Sequence, residues 1–379
     1  MAMEFETLIS YPKHKCVQRV MNMNILFIAS DVKSGQATKH RAEFPSQILK
    51  DFGHDCTVIY GKHLSFFGRT LVSLSPKSIV HQLFNRNYYD VIILESEASP
   101  LGRGCQSIAA LTDTPFIFDF SDALFTRKNI TGTNIPNPAK MYFNDIIQES
   151  DHVTAGSKQL YDYARAINEN TSLLPTPVNT NIFNPQTSAP RTYEEPVIGW
   201  MGSGPDHIEN LRVLVEPLER LARDINFRFR IISALSDEIE NMFSSLEQYI
   251  PVDYGFEDWV SMDQIANEMM TFDVAALPLN LSDEFMIGKN STKVIEHLAM
   301  KISVVASNEV SYADTITHGK TGYLADSEDE WYKYLKKLLV NRNHSTNLAQ
   351  NGYEMVQNQY TTKHYATKLE EVCRSIDET

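Results

Sequence analysis

The chain has 379 residues, enough for two domains of ordinary size, and 42% of them are hydrophobic, which allows large cores and excludes wholesale disorder. Its formal net charge is −14, and an acidic protein is a poor candidate for nonspecific nucleic-acid binding. Residues 1–178 carry 17 basic and 17 acidic side chains, whereas residues 179–379 carry 17 and 31. The neutral first half is therefore repelled less by an anionic membrane surface.

Membrane-spanning and zinc-binding classes are not favoured. No apolar run approaches the roughly 18 residues that a membrane helix needs, and residues 1–22 lack the apolar core of a signal peptide. We therefore expect a cytoplasmic protein, with residues 1–22 as an N-terminal extension. The four cysteines show no CxxC spacing and are expected to be thiols rather than zinc ligands or disulfide partners: Cys16, Cys56, Cys105 and Cys373.

The first half alternates strand and helix patterns, which predicts a parallel α/β sheet. Buried-strand patterns occur at 24–30, 57–60, 90–95, 115–120 and 152–156. The first strand is followed by a loop that contains Gly35 and by a helix expected from about Lys39 to Phe52. Strand, glycine loop and helix form the first unit of a nucleotide-binding type of domain. Gly35 is thus a candidate donor-side residue, or simply a residue that lets the loop turn.

Acidic side chains follow two of these strands, at the sheet edge where ligands of such folds bind. Asp119 and Asp122 lie in the segment DFSDAL, and Glu95 and Glu97 lie at the end of the preceding strand. The two aspartates are candidates for hydrogen bonding to sugar hydroxyls or for proton handling. Capping of the following turn explains them equally well.

The segment 173–185 contains three prolines and is the best candidate for a domain linker. After it, strand patterns recur at 196–200, 227–232, 252–256, 273–279 and 302–305, and helices are expected at 208–222, 329–340 and 361–375. The loop after the first of these strands reads MGSGPD. Its Gly202 and Gly204 would let backbone N–H groups approach a phosphate closely.

The segment 288–307, GKNSTKVIEHLAMKISVVAS, predicts a loop, a helix and a strand. A helix N-terminus favours an anion, and Lys289 and Lys293 add positive charge there. Glu296 follows Lys293 by three residues and can share its helical face. This combination suits a nucleotide diphosphate, with cations for the phosphates and a carboxylate for the ribose hydroxyls. A surface helix with a weak Lys–Glu pair explains the same residues.

Four blocks of the second half resemble a known family: VIGWMGS, FDVAALPL, GKNSTKVIEHLAMKISVVAS and HGKTGYLADSEDEW. From about Met23 onward, the chain resembles retaining GT-B-fold glycosyltransferases of the large group that includes glycosyltransferase family four. The first half matches more loosely, through NILFIASD, DFSDALF and SDHVTAGSKQL. The resemblance implies two Rossmann-like domains that face each other across a cleft, an acceptor domain at 23–178 and a nucleotide-sugar domain at 179–360. It also implies that a C-terminal helix, 361–379, crosses back to the first domain.

The resemblance further implies roles for individual residues. Lys293 matches a catalytic cation beside the diphosphate, and Glu296 matches the glutamate that binds the ribose. The first glutamate of the family's paired motif would fall at position 288, where this chain has Gly288, so the role of that glutamate is not carried over. Gly202 and Ser203 match the loop that faces the donor phosphates, and Ser291 and Thr292 match neighbouring hydrogen-bond donors. The residue pattern itself adds three further donor-side candidates: Gly204, Lys289 and Asn290.

These observations predict transfer of a hexosyl group from a nucleotide diphosphate sugar to a hydroxyl, with retention and without a metal, as in polysaccharide biosynthesis. No cofactor is expected. The expected partners are the donor and a glycan, lipid-linked or small-molecule acceptor, with peripheral membrane contact through the first domain and no nucleic acid. A sugar-nucleotide epimerase of the same fold and a non-catalytic nucleotide-sugar-binding protein remain open, because fold alone does not choose. The GKNSTKVIEHLAM block favours the transferase.

Overall fold

The computed structural model of this chain describes residues 22–30, 36–60, 88–96, 100–123, 138–186, 193–233, 236–255, 261–279 and 290–377. Four residues singled out in the sequence lie outside these ranges: Gly35, Glu97, Gly288 and Lys289. The predicted extension also lies outside them, apart from Asn22. Within the described ranges, no helix combines the length and the apolarity needed to cross a bilayer.

Six parallel strands form a sheet in the first half: β1 Asn24–Ala29, β2 Asp55–Tyr60, β3 Val91–Glu95, β4 Phe116–Phe120, β5 His152–Ala155 and β6 Thr171–Leu173. Their spatial order is β2-β1-β3-β4-β5-β6. The helices of this half are α1 Gln36–Thr38, α2 Phe44–Asp51, α3 Pro100–Thr112, α4 Pro138–Glu149 and α5 Lys158–Arg165. A π-helical turn, Lys39–Glu43, joins α1 to α2. The strand order reverses between β1 and β3, which is where open α/β sheets bind ligands.

The second half repeats this architecture with β7 Val197–Met201, β8 Arg228–Ile232, β9 Val252–Gly255, β10 Val274–Leu277, β11 Ser303–Ser307 and β12 Tyr323–Ala325. The order is β12-β11-β10-β7-β8-β9, again parallel. Its helices are α6 Ile208–Arg212, α7 Val215–Asp224, α8 Asp237–Phe243, α9 Met262–Met269, α10 Thr292–Ala299, α11 Val310–Thr315, α12 Glu328–Val340, α13 Arg342–Gln359 and α14 Thr362–Asp377. Here the order reverses between β7 and β10.

The predicted fold class, α/β with two Rossmann-like sheets, is confirmed. Strands β3, β4, β7, β10 and β11 are buried along their whole length. Strands covered on both faces read as continuous hydrophobic runs, and this is why the sequence located them well. The predicted continuous helix 208–222 is wrong, because α6 ends at Arg212 and α7 starts at Val215. Pro217 lies in the first turn of α7, where proline is tolerated, whereas inside one long helix it would break the hydrogen bonding.

Helix α14 packs on the first half although it ends the chain. Its Tyr365, Ala366 and Leu369 belong to the same apolar cluster as β1 and α2. Val178 N–H donates to the Tyr360 carbonyl at 2.8 Å, and its own carbonyl accepts from the Thr362 N–H at 3.1 Å. The two segments that run between the halves therefore pair with each other next to both predicted domain boundaries.

Arg41 and Asp119 form an ion pair in the interior of the first half, with both side chains 0% exposed. The guanidinium donates from Nε at 2.8 Å and also from Nη2. Buried charges are costly unless they are fully hydrogen-bonded, so such a pair needs further partners. It finds them on β5, on the segment between the halves and on α14: Thr154, Leu174, Thr176 and Tyr365.

Replacing the cation of this pair should destabilise the protein strongly. In Arg41→Met, Asp119 would stay buried without its positive partner, and we expect the free energy of unfolding to fall by about 3–5 kcal/mol. Urea unfolding followed by tryptophan fluorescence measures this loss. Arg103→Met is the control, since its pair with Glu149 is partly exposed and such pairs contribute at most about 1 kcal/mol. Similar losses for the two variants would contradict the central role of the buried pair.

Candidate functional site

Helix α10 connects β10 to β11, so it begins at the carboxyl edge of the second sheet. Asn290 caps it, because Asn290 Oδ1 accepts from the Thr292 N–H at 3.0 Å. The Ser291 hydroxyl donates to the Ser311 carbonyl at 2.6 Å, and the Thr292 hydroxyl donates to Asn290 Oδ1. The three predicted hydrogen-bonding residues thus lie at one helix start, with both hydroxyls already engaged inside the protein.

Lys293 projects from the first turn of α10 onto the loop that follows β7. Its Nζ lies 4.9 Å from the centre of the Trp200 ring and 3.1 Å from His207 Nε2. A Cβ at position 202 would collide with Nζ and would lie 2.9 Å from the Trp200 ring. Glycine at this position therefore leaves the room that the ammonium group occupies. The lysine and the glycine loop, predicted from separate motifs, are in contact.

The amide groups of this loop bond within the protein. Gly202 N–H donates to the Ile232 carbonyl at 3.1 Å, and Gly204 N–H donates to Ser233 Oγ at 2.7 Å. Gly202 thus contributes space for Lys293, and in this arrangement its N–H is engaged. Ser203 is half-buried and precedes the 3₁₀ turn Gly204–His207, and its contact with donor phosphates stays a prediction.

Glu296 lies one turn after Lys293 and is only 2% exposed. Its Oε1 is 3.5 Å from Nε2 of His40, which belongs to the first half. No other ion pair or side-chain hydrogen bond of Glu296 is found in the part of the chain that the structure describes. A buried carboxylate with so few partners is suited to hydroxyl donors from a ligand. The alternative of a surface helix is wrong, because every residue from Val294 to Ala299 is buried.

The two candidate aspartates lie in different surroundings. Asp119 is 0% exposed and both of its oxygens are bonded in the network around Arg41. That placement fits a structural role better than proton handling. Asp122 is half-buried and follows Ser121, whose carbonyl accepts from Asn290 Nδ2 of the second half at 3.4 Å. Asp122 therefore lies next to a contact between the halves and stays the better candidate for the reaction.

Glu95 lies at the end of β3, beside the reversal point of the first sheet. Its Oε2 accepts from the Ser30 N–H at 3.1 Å and from the Ser30 hydroxyl at 3.0 Å. Its Oε1 is buried and has no hydrogen-bond partner within the described part of the chain. Burial raises the pKa of this carboxyl group, and the charge of Asp119 adds to the shift. A buried oxygen without a partner marks this edge as the acceptor-side candidate of the first half.

Residues 195–341 match the family described as Glycosyl transferases group 1. The second half carries a glycosyltransferase domain. The match spans the β7 loop and helix α10, and it confirms the predicted resemblance to glycosyltransferases for this half of the chain. No curated protein matches the chain.

Solved structures of similar architecture cover nearly the whole chain. A glycosyltransferase from Rickettsia africae is 17% identical, with a TM-score of 0.69 over 94% of this chain and 98% of that one. Anabaena HepE in complex with UDP-glucose is 13% identical, with a TM-score of 0.65 over 93% and 100%. Sucrose-phosphate synthase from Thermosynechococcus elongatus is 14% identical, with a TM-score of 0.65 over 94% and 99%. At these identities the likeness establishes the shared GT-B fold.

Three residues of the site were not anticipated from the sequence. Trp200 and His207 surround the Lys293 ammonium, and His40 reaches Glu296 from the other half of the chain. Trp200 stands inside the VIGWMGS block, which was the available signal, whereas nothing near His40 indicated a contact with residue 296. Among the described residues, no group of three or more His, Cys, Asp or Glu side chains could hold a metal ion.

His297 also belongs to helix α10, on its core side. The residue is 0% exposed, its Nδ1 lies 2.6 Å from the Lys293 carbonyl, and its Nε2 has no partner among the residues described. Its ring stacks on Phe272. Burial lowers the pKa of His297 to about 4, so the folded state favours the neutral ring.

This shift predicts a pH dependence of stability. Because the folded pKa lies below the ordinary value of 6.5, the contribution of His297 is complete above pH 6.5 and is lost as the pH falls towards 4. The loss amounts to roughly 3 kcal/mol. Urea unfolding of the wild type and of His297→Leu at pH 7 and pH 4.5 isolates it, since all other titrating groups are shared. The variant should lose less stability than the wild type, and identical losses would contradict the assignment.

Proposed function

We propose that this chain transfers a sugar from a nucleotide diphosphate sugar to an acceptor hydroxyl, with retention at the anomeric carbon. The observation that carries the proposal is the contact of Lys293 with the Gly202 loop, one helical turn from Glu296, inside a glycosyltransferase domain. The loop follows β7, at the reversal point of the second sheet. HepE, which shares the fold, has been solved with UDP-glucose, and this supports a donor of that class.

In the proposed reaction, the bond between the anomeric carbon and the diphosphate oxygen breaks, and its electron pair goes to the diphosphate. The acceptor oxygen forms the new bond on the same face and releases its proton. The Lys293 ammonium stabilises the charge that develops on the leaving group, which is the largest kind of contribution to such catalysis. Glu296 accepts hydrogen bonds from the ribose hydroxyls and thereby orients the donor.

The first half would bind the acceptor. Glu95 offers an unpartnered oxygen at its reversal point, and Asp122 lies beside the contact between Ser121 and Asn290. These groups are the candidates for binding the acceptor hydroxyl and for receiving its proton. We propose a glycan, a lipid-linked sugar or a small molecule as the acceptor, and contact of this half with a membrane surface stays a prediction.

Incubation with UDP-, GDP- and ADP-sugars, with the nucleoside diphosphate measured, is the direct test. Transfer or slow hydrolysis releases the diphosphate, whereas a non-catalytic binding protein releases none. An epimerase would release it only together with an altered free sugar. Release of the diphosphate without such a change supports the transferase, and the absence of any release would overturn it.

Removing the ammonium group should weaken binding and turnover together. In Lys293→Ala, we expect nucleoside diphosphate affinity and kcat/KM to fall about 10- to 100-fold, because a hydrogen bond to a charged partner contributes about 1.5–3 kcal/mol. Isothermal titration and steady-state kinetics measure the two effects. Lys333→Ala is the matched control, since that lysine also lies over an aromatic ring, Tyr334, but on helix α12. Unchanged kinetics in Lys293→Ala would place the donor elsewhere.

The reaction should not depend on a metal ion. The Lys293 ammonium, rather than a metal held by a carboxylate pair, is proposed to stabilise the leaving diphosphate. We therefore expect the turnover rate to persist in excess EDTA. Complete loss of activity on chelation, restored by adding Mg²⁺ or Mn²⁺, would overturn this part of the mechanism.

A further inference from the structure

His40 is the residue of the first half that approaches Glu296. It lies in the π-helical turn Lys39–Glu43, between α1 and α2. Such turns are rare and occur often at functional sites. The next residue in the turn, Arg41, is fixed in the interior by Asp119. Because Arg41 is anchored on one side of the turn, the adjacent His40 points towards the second half.

The imidazole of His40 is buried. Its side chain is 1% exposed, and among the described residues neither Nδ1 nor Nε2 has a hydrogen-bond partner. Burying a polar group without a partner costs free energy, and nearly all buried polar groups in proteins are paired. The ring nitrogens of His40 are therefore expected to bond to a partner in the functional complex.

The Glu296 carboxylate lies close to one nitrogen of this ring. Its side chain is 3% exposed, and the distance from His40 Nε2 to Oε1 is 3.5 Å. Hydrogen bonds of this type have lengths of roughly 2.7–3.2 Å, so a relative shift of about half an ångström would form one. An imidazole N–H donating to Oε1 would leave Oε2 for a ligand.

Two aromatic rings hold the imidazole in its orientation. Phe44 meets it edge-on at 5.8 Å between ring centres, and Phe183 lies against it at 6.4 Å. Phe44 belongs to the first half, whereas Phe183 is part of the apolar cluster of the second half. The ring is thus fixed from both sides of the contact, as expected for a group whose direction matters.

We propose that His40 is a positioning residue that holds the Glu296 carboxylate for the ribose hydroxyls of the donor and thereby couples donor binding to the contact between the two halves. The proposal rests on the proposed function, because it requires Glu296 to bind the donor. His40 itself touches no reacting atom in this arrangement. Its loss should raise the KM for the donor and the Kd for the nucleoside diphosphate, with a smaller effect on kcat.

The decisive variants differ in where they place a nitrogen. His40→Phe keeps the aromatic contacts and removes both nitrogens, whereas His40→Gln places an amide NH₂ near the position of Nε2. His40→Asn is too short to reach that position. UDP, GDP and ADP are titrated into the wild type by calorimetry, and the tightest of the three is used for all variants. We expect about tenfold weaker binding for the phenylalanine and asparagine variants, about 1.4 kcal/mol, and binding within about threefold of the wild type for glutamine.

A double-mutant cycle shows whether His40 acts through Glu296. In the Glu296→Gln background, His40→Phe should weaken binding by no more than about twofold, because the charged partner is gone. His152→Phe is the control, a histidine of the first half bonded to Ser172 at the opposite edge of the sheet. Its Kd should equal that of the wild type.

The possible outcomes distinguish a positioning role of His40 from a purely structural one. Equal loss of affinity in the phenylalanine and glutamine variants, together with a lower melting temperature, would show that His40 only supports the fold. Wild-type affinity in His40→Phe or His40→Asn would overturn the proposal while leaving the donor site of Lys293 intact. If none of the three diphosphates binds the wild type, the proposed donor site itself fails, and the role of His40 fails with it.

Discussion

The buried pair of Arg41 and Asp119 is the constraint on which the arrangement of the two halves depends. The guanidinium bonds to the segment between the halves, and Asp119 on β4 accepts from Tyr365 of helix α14, so the pair joins distant parts of the chain. Burial alone would lower the pKa of Arg41, but the charge of Asp119 and its hydrogen bonds to the guanidinium outweigh that effect and raise it. The guanidinium therefore stays charged whenever the protein is folded, and the pair acts as a permanent constraint rather than as a switch.

Helix α10 of the second half is likewise held in place, in its case by close packing against a neighbouring helix. Gly352 of α13 lies against Leu298 of α10, where any larger residue would collide with the leucine side chain. This close packing holds the helix that carries Lys293 and Glu296. The two polar side chains are thus presented by a rigid element, and rigid support is what a preorganised site requires. The motion needed to bring His40 into hydrogen-bond distance must then come from the contact between the halves.

Patterns in the sequence located most strands, but they did not locate every helix or every residue of the candidate site. Continuous apolar runs identified β3, β4 and β7, because strands covered on both faces need them. Helix α13 was missed, since its sequence is rich in Asn and Gln and only a few residues, Leu348, Ala349, Gly352 and Val356 among them, are buried. Tertiary packing, rather than local propensity, stabilises it. His40 and Glu296 are 256 positions apart in the chain, and no local sequence pattern encodes a contact between residues so far apart.

The two halves place carboxylates of different character near their reversal points. Glu95 receives hydrogen bonds from Ser30 and has no ion pair with any residue that the structure describes, and burial raises its pKa. Glu296 instead has a histidine within 3.5 Å and a lysine one turn earlier on the same helix. A carboxyl group with a raised pKa holds a proton more readily, which suits proton exchange with an acceptor hydroxyl. A carboxylate that faces an imidazole ring suits steady acceptance of ribose hydrogen bonds. This difference in surroundings supports the proposed division, in which the second half binds the donor and the first half binds the acceptor.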